Sequence, residues 1–289
     1  MMRIRRIEEC IAERYKEQKM RCPVHLSIGQ EAIAVGVCEQ LTDYDYAVSG
    51  HRAHAHYLAK GGSLNKMMAE IYGKVDGCCL GRGGSMHLVD LERGFLGSTP
   101  IVGGSIPIGV GAAFGASLKN EKRVTAIFLG EGSTEEGVFA ECLNFAMLKK
   151  LSILFVCENN LYSVYSTLDV RQPRSRHRPS LAKAHGMLAF EGDGNNVDEV
   201  AKLASEAVHY IREGNGPVFL ELSTYRFREH CGPNLDPFQP KEESEHWKTR
   251  EPLYGIEIST EFEEEIAHAF EFAEKSPFPK PEQEEAVYA

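Results

Sequence analysis

The features that this sequence lacks argue against several classes of function. No apolar run reaches about 18 residues, so we expect no transmembrane helix. The chain carries 32 Lys and Arg residues against 42 Asp and Glu residues, which gives a net charge of −10. That excess of negative charge argues against nucleic acid or an anionic membrane as the main partner. The basic N-terminus also lacks the apolar segment of a signal peptide, so we expect a cytoplasmic protein.

Cysteines are present, but no C-x-x-C pair occurs among the eight. Cys38, Cys142 and Cys157 fall in apolar or helical runs, which is typical of reduced core thiols in a cytoplasmic protein. Cys78 and Cys79 could be a metal or redox site. Adjacent cysteines rarely share a structural zinc and no second pair follows, so we favour ordinary thiols here.

The chain is long enough to bury a large core. It has 289 residues, of which 43% are hydrophobic and a single one is tryptophan. These values predict one α/β domain, which we assign to residues 1–240. Residues 241–289 are acidic and contain a helical pattern and a Pro-rich tail. We interpret them as an arm that contacts another subunit, and the alternative is a solvated tail.

A strand–helix–strand pattern lies between residues 124 and 160. The apolar run Val124–Leu129 ends in Gly-Glu-Gly, and a second apolar run, Ile153–Cys157, ends in Glu-Asn-Asn. A helical pattern separates the two runs, which predicts a βαβ unit. Such crossovers are right-handed and join parallel strands, so Glu131 and Asn160 should lie side by side at one edge of a sheet. That edge is where open α/β sheets bind ligands.

The residue types at that edge suit a cation and a diphosphate. Glu131 offers a carboxylate and Asn160 an amide oxygen, the hard ligands that Mg²⁺ or Ca²⁺ prefers. Gly132 allows close approach of the backbone, and the helix that follows presents free N–H groups. The alternative is an ordinary strand–turn–helix in which the glycines serve only the turn.

A further charged group follows the short apolar segment 46–49. Arg52 stands in the run His-Arg-Ala-His-Ala-His. It is a suitable diphosphate contact, because its guanidinium is permanently charged and fork-shaped. The three histidines at 51, 54 and 56 could be neighbours on a strand or metal ligands. No further cysteine or carboxylate has the spacing of a metal site, so we favour the first interpretation.

Three other segments are interpreted from their composition. The nearly uncharged run 95–118 contains Gly109, Gly111 and Gly115 within one predicted helix. We expect tight helix–helix packing at these glycines, because glycine otherwise weakens a helix. Residues 161–180 contain four arginines and few apolar residues, which predicts a loop. Residues 192–196 read Gly-Asp-Gly-Asn-Asn without an intervening helix and strand, so they predict only a turn before a helix.

Several motifs occur together and in order along the chain. They are Gly29–Ala32, His51–His54, Gly81–His87, Ile101–Gly103, Gly130–Asn160 and Thr224–Arg226. Over residues 25–235 the chain resembles the α subunits of thiamine-diphosphate (ThDP)-dependent E1 components of 2-oxo acid dehydrogenase complexes, and of the related acetoin dehydrogenases. The resemblance implies the α/β ThDP-binding fold, and within it the module that binds the diphosphate (the PP-type module). Such a module has a mostly parallel sheet flanked by helices. It also implies ThDP and Mg²⁺ as cofactors.

The resemblance assigns roles to individual residues. Those that would contact ThDP are Arg52, Val102, Gly132, Ser133 and Asn160. Those that would bind Mg²⁺ are Glu131, Asn160 and, through its backbone oxygen, Tyr162. Those in the active site, which we predict to be catalytic, are His54 and His230.

Three positions depart from the usual pattern of that family. His51 stands where pyruvate-type members often have tyrosine, which makes this part of the chain more similar to the acetoin-type branch. Pro100 replaces a common glycine, and Glu131 replaces the commoner aspartate. Glutamate should still bind the cation, with one more methylene to accommodate. Residues 171–180 do not match the family's regulatory serine loop, so no phosphorylation site is transferred.

One requirement of ThDP chemistry has no counterpart in this chain. The cofactor needs a carboxylate against its pyrimidine ring, and one sheet edge can hold the diphosphate or the pyrimidine but not both. The resemblance implies that a transketolase-like β subunit supplies the missing half in an α2β2 assembly. It also implies that the acyl group passes to a lipoyl-bearing E2 protein.

The leading hypothesis is the α subunit of a ThDP- and Mg²⁺-dependent E1 enzyme that oxidatively decarboxylates a pyruvate-like 2-oxo acid. One alternative is the α subunit of an acetoin dehydrogenase. Another is a non-catalytic ThDP-binding or scaffolding subunit. A Rossmann-like nucleotide-binding protein fits less well, because the segment Gly-Glu-Gly-Ser-Thr-Glu at 130–135 lacks the third glycine of G-x-G-x-x-G.

Overall fold

A parallel sheet forms the centre of the fold. The computed structural model describes residues 1–280, and the strands of its main sheet are β1 (Tyr46–Ser49), β2 (Phe95–Ser98), β3 (Thr125–Gly130), β4 (Ile153–Asn159), β7 (Leu188–Asp193) and β8 (Val218–Ser223). They are all parallel, in the order β2-β1-β3-β4-β8-β7. A separate antiparallel pair is formed by β5 (Tyr162–Ser163) and β6 (Ser166–Thr167). The predicted α/β fold with a mostly parallel sheet is confirmed.

Helices cover both faces of this sheet. They are α1 (Met2–Tyr15), α2 (Glu31–Cys38), α3 (His54–Ala59), α4 (Leu64–Ile71), α5 (Ser105–Leu118), α6 (Gly137–Leu148), α7 (Leu168–Arg171), α8 (Arg178–Ala184), α9 (Val197–Arg212), α10 (Lys241–Lys248) and α11 (Glu263–Lys275). Ala126 and Phe128 of β3 belong to the core shared with α1, α2, α4, α9 and α11, whereas Ile127 and Leu129 belong to the core shared with α5, α6 and α8. Burial of both faces explains why the central strands are continuous apolar runs. Through residue 280, no helix combines the length and the apolar character needed to span a bilayer.

The predicted βαβ unit consists of β3, α6 and β4. The two strands pair in parallel, from Thr125 opposite Ile153 to Gly130 opposite Glu158. Every residue of β4 is buried. Glu131 directly follows β3 and residue 160 directly follows β4, so both leave the sheet at the same edge, as the sequence predicts.

Two segments have more regular structure than expected. The chain after β1 turns into α3, so His54 and His56 lie on a helix and are not neighbours on a strand. Residues 161–180, predicted to be a loop, contain β5, β6, α7 and the start of α8. Ion pairs hold this segment: Arg178 Nε donates to Glu221 at 3.0 Å, and both side chains are 9% exposed. The loop prediction was wrong because charge pairing between distant segments is not visible in local composition.

The turn predicted at residues 192–196 is confirmed. β7 ends at Asp193, and the Asn196 side chain then caps α9. It accepts hydrogen bonds from the backbone N–H groups of Asp198 and Glu199 at 3.1 and 3.2 Å. Asn196 is therefore the N-cap of α9.

The three glycines of α5 do not share one role. A Cβ on Gly109 would lie 2.6 Å from Ile127 Cγ1 and 2.8 Å from Val48 Cγ2, so this glycine lets α5 sit directly on β3 and β1. No atom of residues 1–280 outside the helix's own backbone lies within 4 Å of the corresponding positions on Gly111 and Gly115. The expectation of helix–helix packing at all three was wrong, since one packs on the sheet and two face open space.

We expect Gly109→Val to lower the free energy of unfolding by about 1–3 kcal/mol, because the added atoms must displace packed side chains. Gly111→Ala is the matched control in the same helix. It should raise the free energy of unfolding by about 0.5–1 kcal/mol, since alanine favours the helix and has room there. Urea denaturation of the full chain, followed by circular dichroism, measures both. Equal effects of the two substitutions would contradict the packing argument.

The C-terminal segment packs on the same chain as far as residue 280. α11 lies against α4, and its Phe270 belongs to the main core. The Lys74 ammonium donates to the Ser276 carbonyl at 2.9 Å and lies 4.0 Å from the ring centre of Phe278. The domain boundary near residue 240 and the subunit-contacting arm stay predictions, and residues 281–289 of that arm lie outside the described residues.

Candidate functional site

A cavity opens at the carboxyl edge of the central strands. The residues that line it after β1, β3 and β4 include Gly50–Arg52, Glu131–Ser133, Asn160 and Tyr162. Val102, which precedes α5, and His230, which follows β8, also line it. All predicted site residues except His54 therefore meet at this cavity.

Two side chains with oxygen ligands follow the ends of β3 and β4, and Tyr162 begins β5 just after them. The Glu131 side chain is 2% exposed. The Asn160 side chain is held at both of its polar atoms: its amide donates to Gln30 Oε1 at 2.9 Å, and its oxygen accepts from the backbone N–H of Tyr162 at 3.2 Å. A carboxylate, an amide oxygen and the backbone oxygen of Tyr162 form the hard donor set that Mg²⁺ prefers.

An arginine already contacts the predicted metal ligand. Arg171, the last residue of α7, places Nη2 2.6 Å from Glu131 Oε1, and its Nη1 donates to Glu135. Burial raises the pKa of the Glu131 carboxyl, and the charge of Arg171 opposes that rise. The guanidinium thus supplies positive charge next to the carboxylate. Sequence reasoning missed this contact, for which the abundance of arginine in 161–180 was the only signal.

Arg52 presents positive charge on the cavity wall. Its guanidinium donates to the carbonyl oxygens of Leu26 and His230 at 2.7 and 3.2 Å. Within residues 1–280 no carboxylate forms an ion pair with it. Burial and the neighbouring charge of Arg226 lower the pKa of Arg52 to about 9, so it stays protonated at neutral pH. Such an unpaired guanidinium is suited to bind an anion.

His54 is fully buried between two other side chains. Its Nδ1 lies 2.5 Å from Glu8 Oε1 and its Nε2 lies 2.7 Å from Ser85 Oγ. All three residues are 0% exposed. The arrangement joins α1, α3 and the glycine-rich segment 81–87. Because His54 does not line the cavity, the catalytic role predicted for it requires action through other residues.

A histidine that sequence reasoning missed does line the cavity. His56 Nδ1 lies 2.8 Å from Ser49 Oγ, and its Nε2 lies 3.0 Å from Glu158 Oε1. The ring stacks on Phe128, with 4.0 Å between the ring centres. Among residues 1–280, both carboxylates that line the cavity therefore have partners, since Glu158 pairs with His56 and Glu131 with an arginine.

Three histidine rings meet beside Arg52. His25, which precedes α2, joins His51 and His230, with ring centres 4.8, 5.1 and 5.2 Å apart. Burial, together with the charge of Arg52, lowers the pKa of His25, His51 and His230 to about 2, 4 and 3. All three imidazoles are therefore neutral at neutral pH. No sequence signal pointed to His25, because its link to the other two exists only in the folded chain.

The carboxylate beside the adjacent cysteines is held by the backbone. Glu70 lies beside Cys78 and Cys79. However, its carboxylate accepts four backbone N–H groups from the segment 79–84, at 2.7, 3.0, 2.7 and 3.0 Å. Glu70 thus holds this glycine-rich loop in place. The eight cysteines are free thiols. The preference for ordinary thiols over a metal site at Cys78 and Cys79 stays a prediction.

Comparisons with known proteins agree with this geometry. The family model described as "Dehydrogenase E1 component" matches residues 1–257. Pyruvate dehydrogenase E1 component subunit alpha of Porphyra purpurea is 37% identical, over 95% of this chain and 86% of the relative. The alpha subunit of acetoin:2,6-dichlorophenolindophenol oxidoreductase of Bacillus subtilis (strain 168) is 36% identical, over 97% of this chain and 88% of the relative. With such matches over almost its whole length, the chain belongs to the dehydrogenase E1 component family.

Proposed function

We propose that this chain is the α subunit of a heteromeric ThDP- and Mg²⁺-dependent E1 enzyme, which oxidatively decarboxylates a pyruvate-like 2-oxo acid and transfers the acyl group to a lipoyl group. The observation that carries the proposal is the meeting of Arg52, Glu131 and Asn160 at one cavity. They follow three neighbouring parallel strands, at the edge where α/β sheets bind their ligands. The similarity to pyruvate dehydrogenase α subunits supports the same assignment.

The donor set fits a magnesium ion. In the proposal Glu131, Asn160 and the backbone oxygen of Tyr162 bind the ion, and the cofactor's phosphates complete its coordination. The hydrogen bond from Asn160 to Gln30 fixes the amide orientation. The Asn160 oxygen accepts from the Tyr162 N–H, and its second lone pair is left for the ion. Arg171 must give up its contact with the Glu131 carboxylate when the ion binds.

The other residues fit the diphosphate and the ring. Arg52 binds the phosphates through its unpaired guanidinium, and Gly132 and Ser133 approach them with their backbone N–H groups. A Cβ on Gly132 would lie 2.9 Å from Ser163 Oγ, which favours glycine at this position. Val102 contributes a backbone contact to the aminopyrimidine ring.

When bound, ThDP supplies the carbanion chemistry, and the protein holds it and manages the protons around it. His230 is a neutral imidazole that lines the cavity, and its Nδ1 accepts from Arg226, so its Nε2–H can donate a hydrogen bond there. We assign it the catalytic role. His54, hydrogen-bonded between Glu8 and Ser85, acts as a positioning residue that fixes α3 behind Arg52.

The carboxylate that activates the pyrimidine comes from a β subunit in this proposal. In the described part of the chain, Glu131 and Glu158 are the carboxylates on the cavity wall, and each already has a partner. Neither is free to bind a pyrimidine nitrogen. The proposal therefore requires an α2β2 assembly with the cofactor between subunits, and a lipoyl-bearing E2 protein as acyl acceptor.

A specific observation favours a second candidate, an acetoin dehydrogenase α subunit. His51 lies on the cavity wall where pyruvate-type members often have tyrosine. The Bacillus subtilis relative named for acetoin is nearly as similar to this chain as the Porphyra relative named for pyruvate. The two candidates share the cofactor and the partner and differ in substrate.

Co-expression with a transketolase-like β subunit from the same organism tests the function. We expect ThDP- and Mg²⁺-dependent reduction of dichlorophenolindophenol with pyruvate or a branched 2-oxo acid, and only when both subunits are present. Turnover of acetoin alone would select the second candidate. Absence of both ThDP binding and turnover would refute the proposal, whereas binding without turnover would indicate a non-catalytic subunit.

Arg171→Gln should strengthen Mg²⁺ binding in the presence of ThDP by about tenfold, because removal of the guanidinium leaves a buried carboxylate that only the metal ion can then neutralise. Arg174→Gln is the matched control, since Arg174 is exposed in the same segment. Isothermal titration calorimetry with Mg²⁺ on the assembled subunits measures both. An affinity that stays constant or falls in Arg171→Gln would show that this arginine does not compete with the ion.

A further inference from the structure

Helix α10 lies beyond residue 240 but packs on the turn that carries Tyr162. The Tyr162 hydroxyl donates to Glu243 Oε1 at 2.7 Å, and the Tyr162 backbone oxygen is one of the proposed ligands of the cation. Glu243 itself does not line the cavity. We propose that Glu243 is a positioning residue, which fixes the Tyr162 carbonyl in the orientation that the ion requires. This inference rests on the proposed magnesium site and adds a residue outside the cavity to it.

The turn needs support because its backbone is strained. Leu161, between Asn160 and Tyr162, has a φ of 72°, and Val164, between β5 and β6, has a φ of 57°. Such left-handed backbone is unfavourable for residues that carry a Cβ, and most of all for bulky or β-branched ones. Residues in this conformation persist only where the surrounding structure holds them. The orientation of the Tyr162 carbonyl therefore depends on contacts made from outside the turn.

An aromatic cluster of Tyr162, Tyr225 and Trp247 provides part of that support. Tyr225, which follows β8, is fully buried, and its ring lies edge-on to that of Tyr162 with 6.4 Å between the ring centres. Tyr225 also stacks on Trp247 of α10, at 5.5 Å with an interplanar angle of 6°. Leu161 packs against the same cluster. The cluster therefore joins the strained turn to both β8 and α10.

One face of α10 makes these contacts. Glu243 and Trp247 are four residues apart and so share a side of the helix. Trp247 is 9% exposed and Glu243 is half-buried. The exposed residues of α10 are Lys241, Glu242, Glu245, His246 and Lys248. The helix thus directs one carboxylate to the turn and its other charged groups to solvent.

Two ion pairs hold the chain directly after α10. Arg250 pairs with Asp193, the last residue of β7, at 3.1 Å. Glu251 pairs with Arg5 of α1 at 2.6 Å. Neither pair involves Glu243, and neither does the stacking of the tryptophan. We therefore expect α10 to stay docked when Glu243 alone is replaced.

Calorimetric titration with Mg²⁺ in the presence of ThDP, on the assembled α and β subunits, tests the proposal. Glu243→Ala and Tyr162→Phe each remove the hydrogen bond and keep the backbone oxygen. Each should weaken Mg²⁺ binding by about tenfold, the lower end of the usual cost of losing an outer-shell partner. The double variant should lose no more than either single variant, because both changes remove the same interaction.

Glu242→Ala is the matched control. It removes the same charge from an exposed neighbouring position, so the affinity for Mg²⁺ should stay unchanged. Glu243→Gln separates the hydrogen bond from the charge, because glutamine keeps an acceptor oxygen for the hydroxyl. It should retain more affinity than Glu243→Ala.

The fluorescence of Trp247 reports whether α10 stays docked. Trp247 is the single tryptophan of the chain, so emission from the full chain on its own comes from this helix. The emission should be the same in the wild-type protein and in Glu243→Ala. A shift to longer wavelength would show that the substitution releases the helix, and a specific positioning role of Glu243 would then be overturned.

Wild-type affinity for Mg²⁺ in both Glu243→Ala and Tyr162→Phe would also overturn the proposal. An equal loss in Glu242→Ala would do the same, because it would assign the effect to charge alone. Two single variants are used so that misfolding of one, detected by circular dichroism, still leaves a test. Failure of the wild-type subunits to bind Mg²⁺ with ThDP would instead refute the magnesium site itself, so the two failures are distinct.

Discussion

Replacement of Glu131 by alanine is expected to abolish Mg²⁺-dependent binding of ThDP by the assembled α and β subunits. Glu131 supplies the charged oxygen of the proposed metal site. The other carboxylate on the cavity wall, Glu158, is held by His56 at 3.0 Å and cannot replace it. Loss of one partner of a buried charge pair costs about 3–5 kcal/mol, which corresponds to a loss of affinity on the order of 100-fold or more.

Glu135→Ala is the matched control for this variant. Glu135 shares the Arg171 guanidinium with Glu131, but it does not line the cavity. Its removal should therefore change the Mg²⁺-dependent affinity by less than about fivefold. Calorimetric titration with ThDP, with and without Mg²⁺, compares the two variants. Unchanged binding in Glu131→Ala, or an equal loss in Glu135→Ala, would remove Glu131 from the metal site.

Arg52→Ala should weaken ThDP binding at its phosphate end by about 100-fold. The guanidinium is charged at neutral pH, lies on the cavity wall and is bonded only to the carbonyl oxygens of Leu26 and His230 among the described residues. Charge-assisted hydrogen bonds of this type contribute about 1.5–3 kcal/mol each. Arg52→Lys should give an intermediate loss, because lysine keeps the charge and lacks the fork.

Thiamine, which lacks the phosphates, is the control ligand for Arg52. Its dissociation constant should be nearly the same in the wild-type protein and in Arg52→Ala. A selective loss of ThDP affinity identifies Arg52 as a phosphate contact. Equal losses for thiamine and ThDP would indicate that the substitution disturbs the cavity as a whole, and unchanged ThDP binding would exclude the contact.

Sequence periodicity was sufficient to predict the central architecture. The two apolar runs around the Gly-Glu-Gly segment became β3 and β4, paired in parallel. Glu131 and residue 160 then had to leave the same edge of the sheet, because the two strands of a βαβ unit are parallel. Local sequence was also enough for the cap at Asn196, since a helix start depends on only a few neighbouring residues.

Local patterns failed where the outcome depended on distant partners. The three glycines of α5 are the same residue type in one helix, but they have two different environments. Gly109 packs on β1 and β3, whereas Gly111 and Gly115 face open space, and only the packing of the helix on the sheet distinguishes them. The arginine-rich segment 161–180 gained regular structure through ion pairs with residues far along the chain, such as Glu221. Neither result could be obtained from windows of neighbouring residues.

The sequence by itself determined the βαβ unit formed by β3, α6 and β4, the edge at which its ligand residues emerge, and the residue types that suit a cation and a diphosphate there. The tertiary structure alone decided that His54 is buried against Glu8 and Ser85, that Arg171 contacts Glu131, and that His25 joins the cavity histidines. The physical reason is that strand direction and residue alternation follow from local backbone geometry. Contacts between side chains depend instead on how whole elements pack, and burial and charge pairing then decide which groups meet.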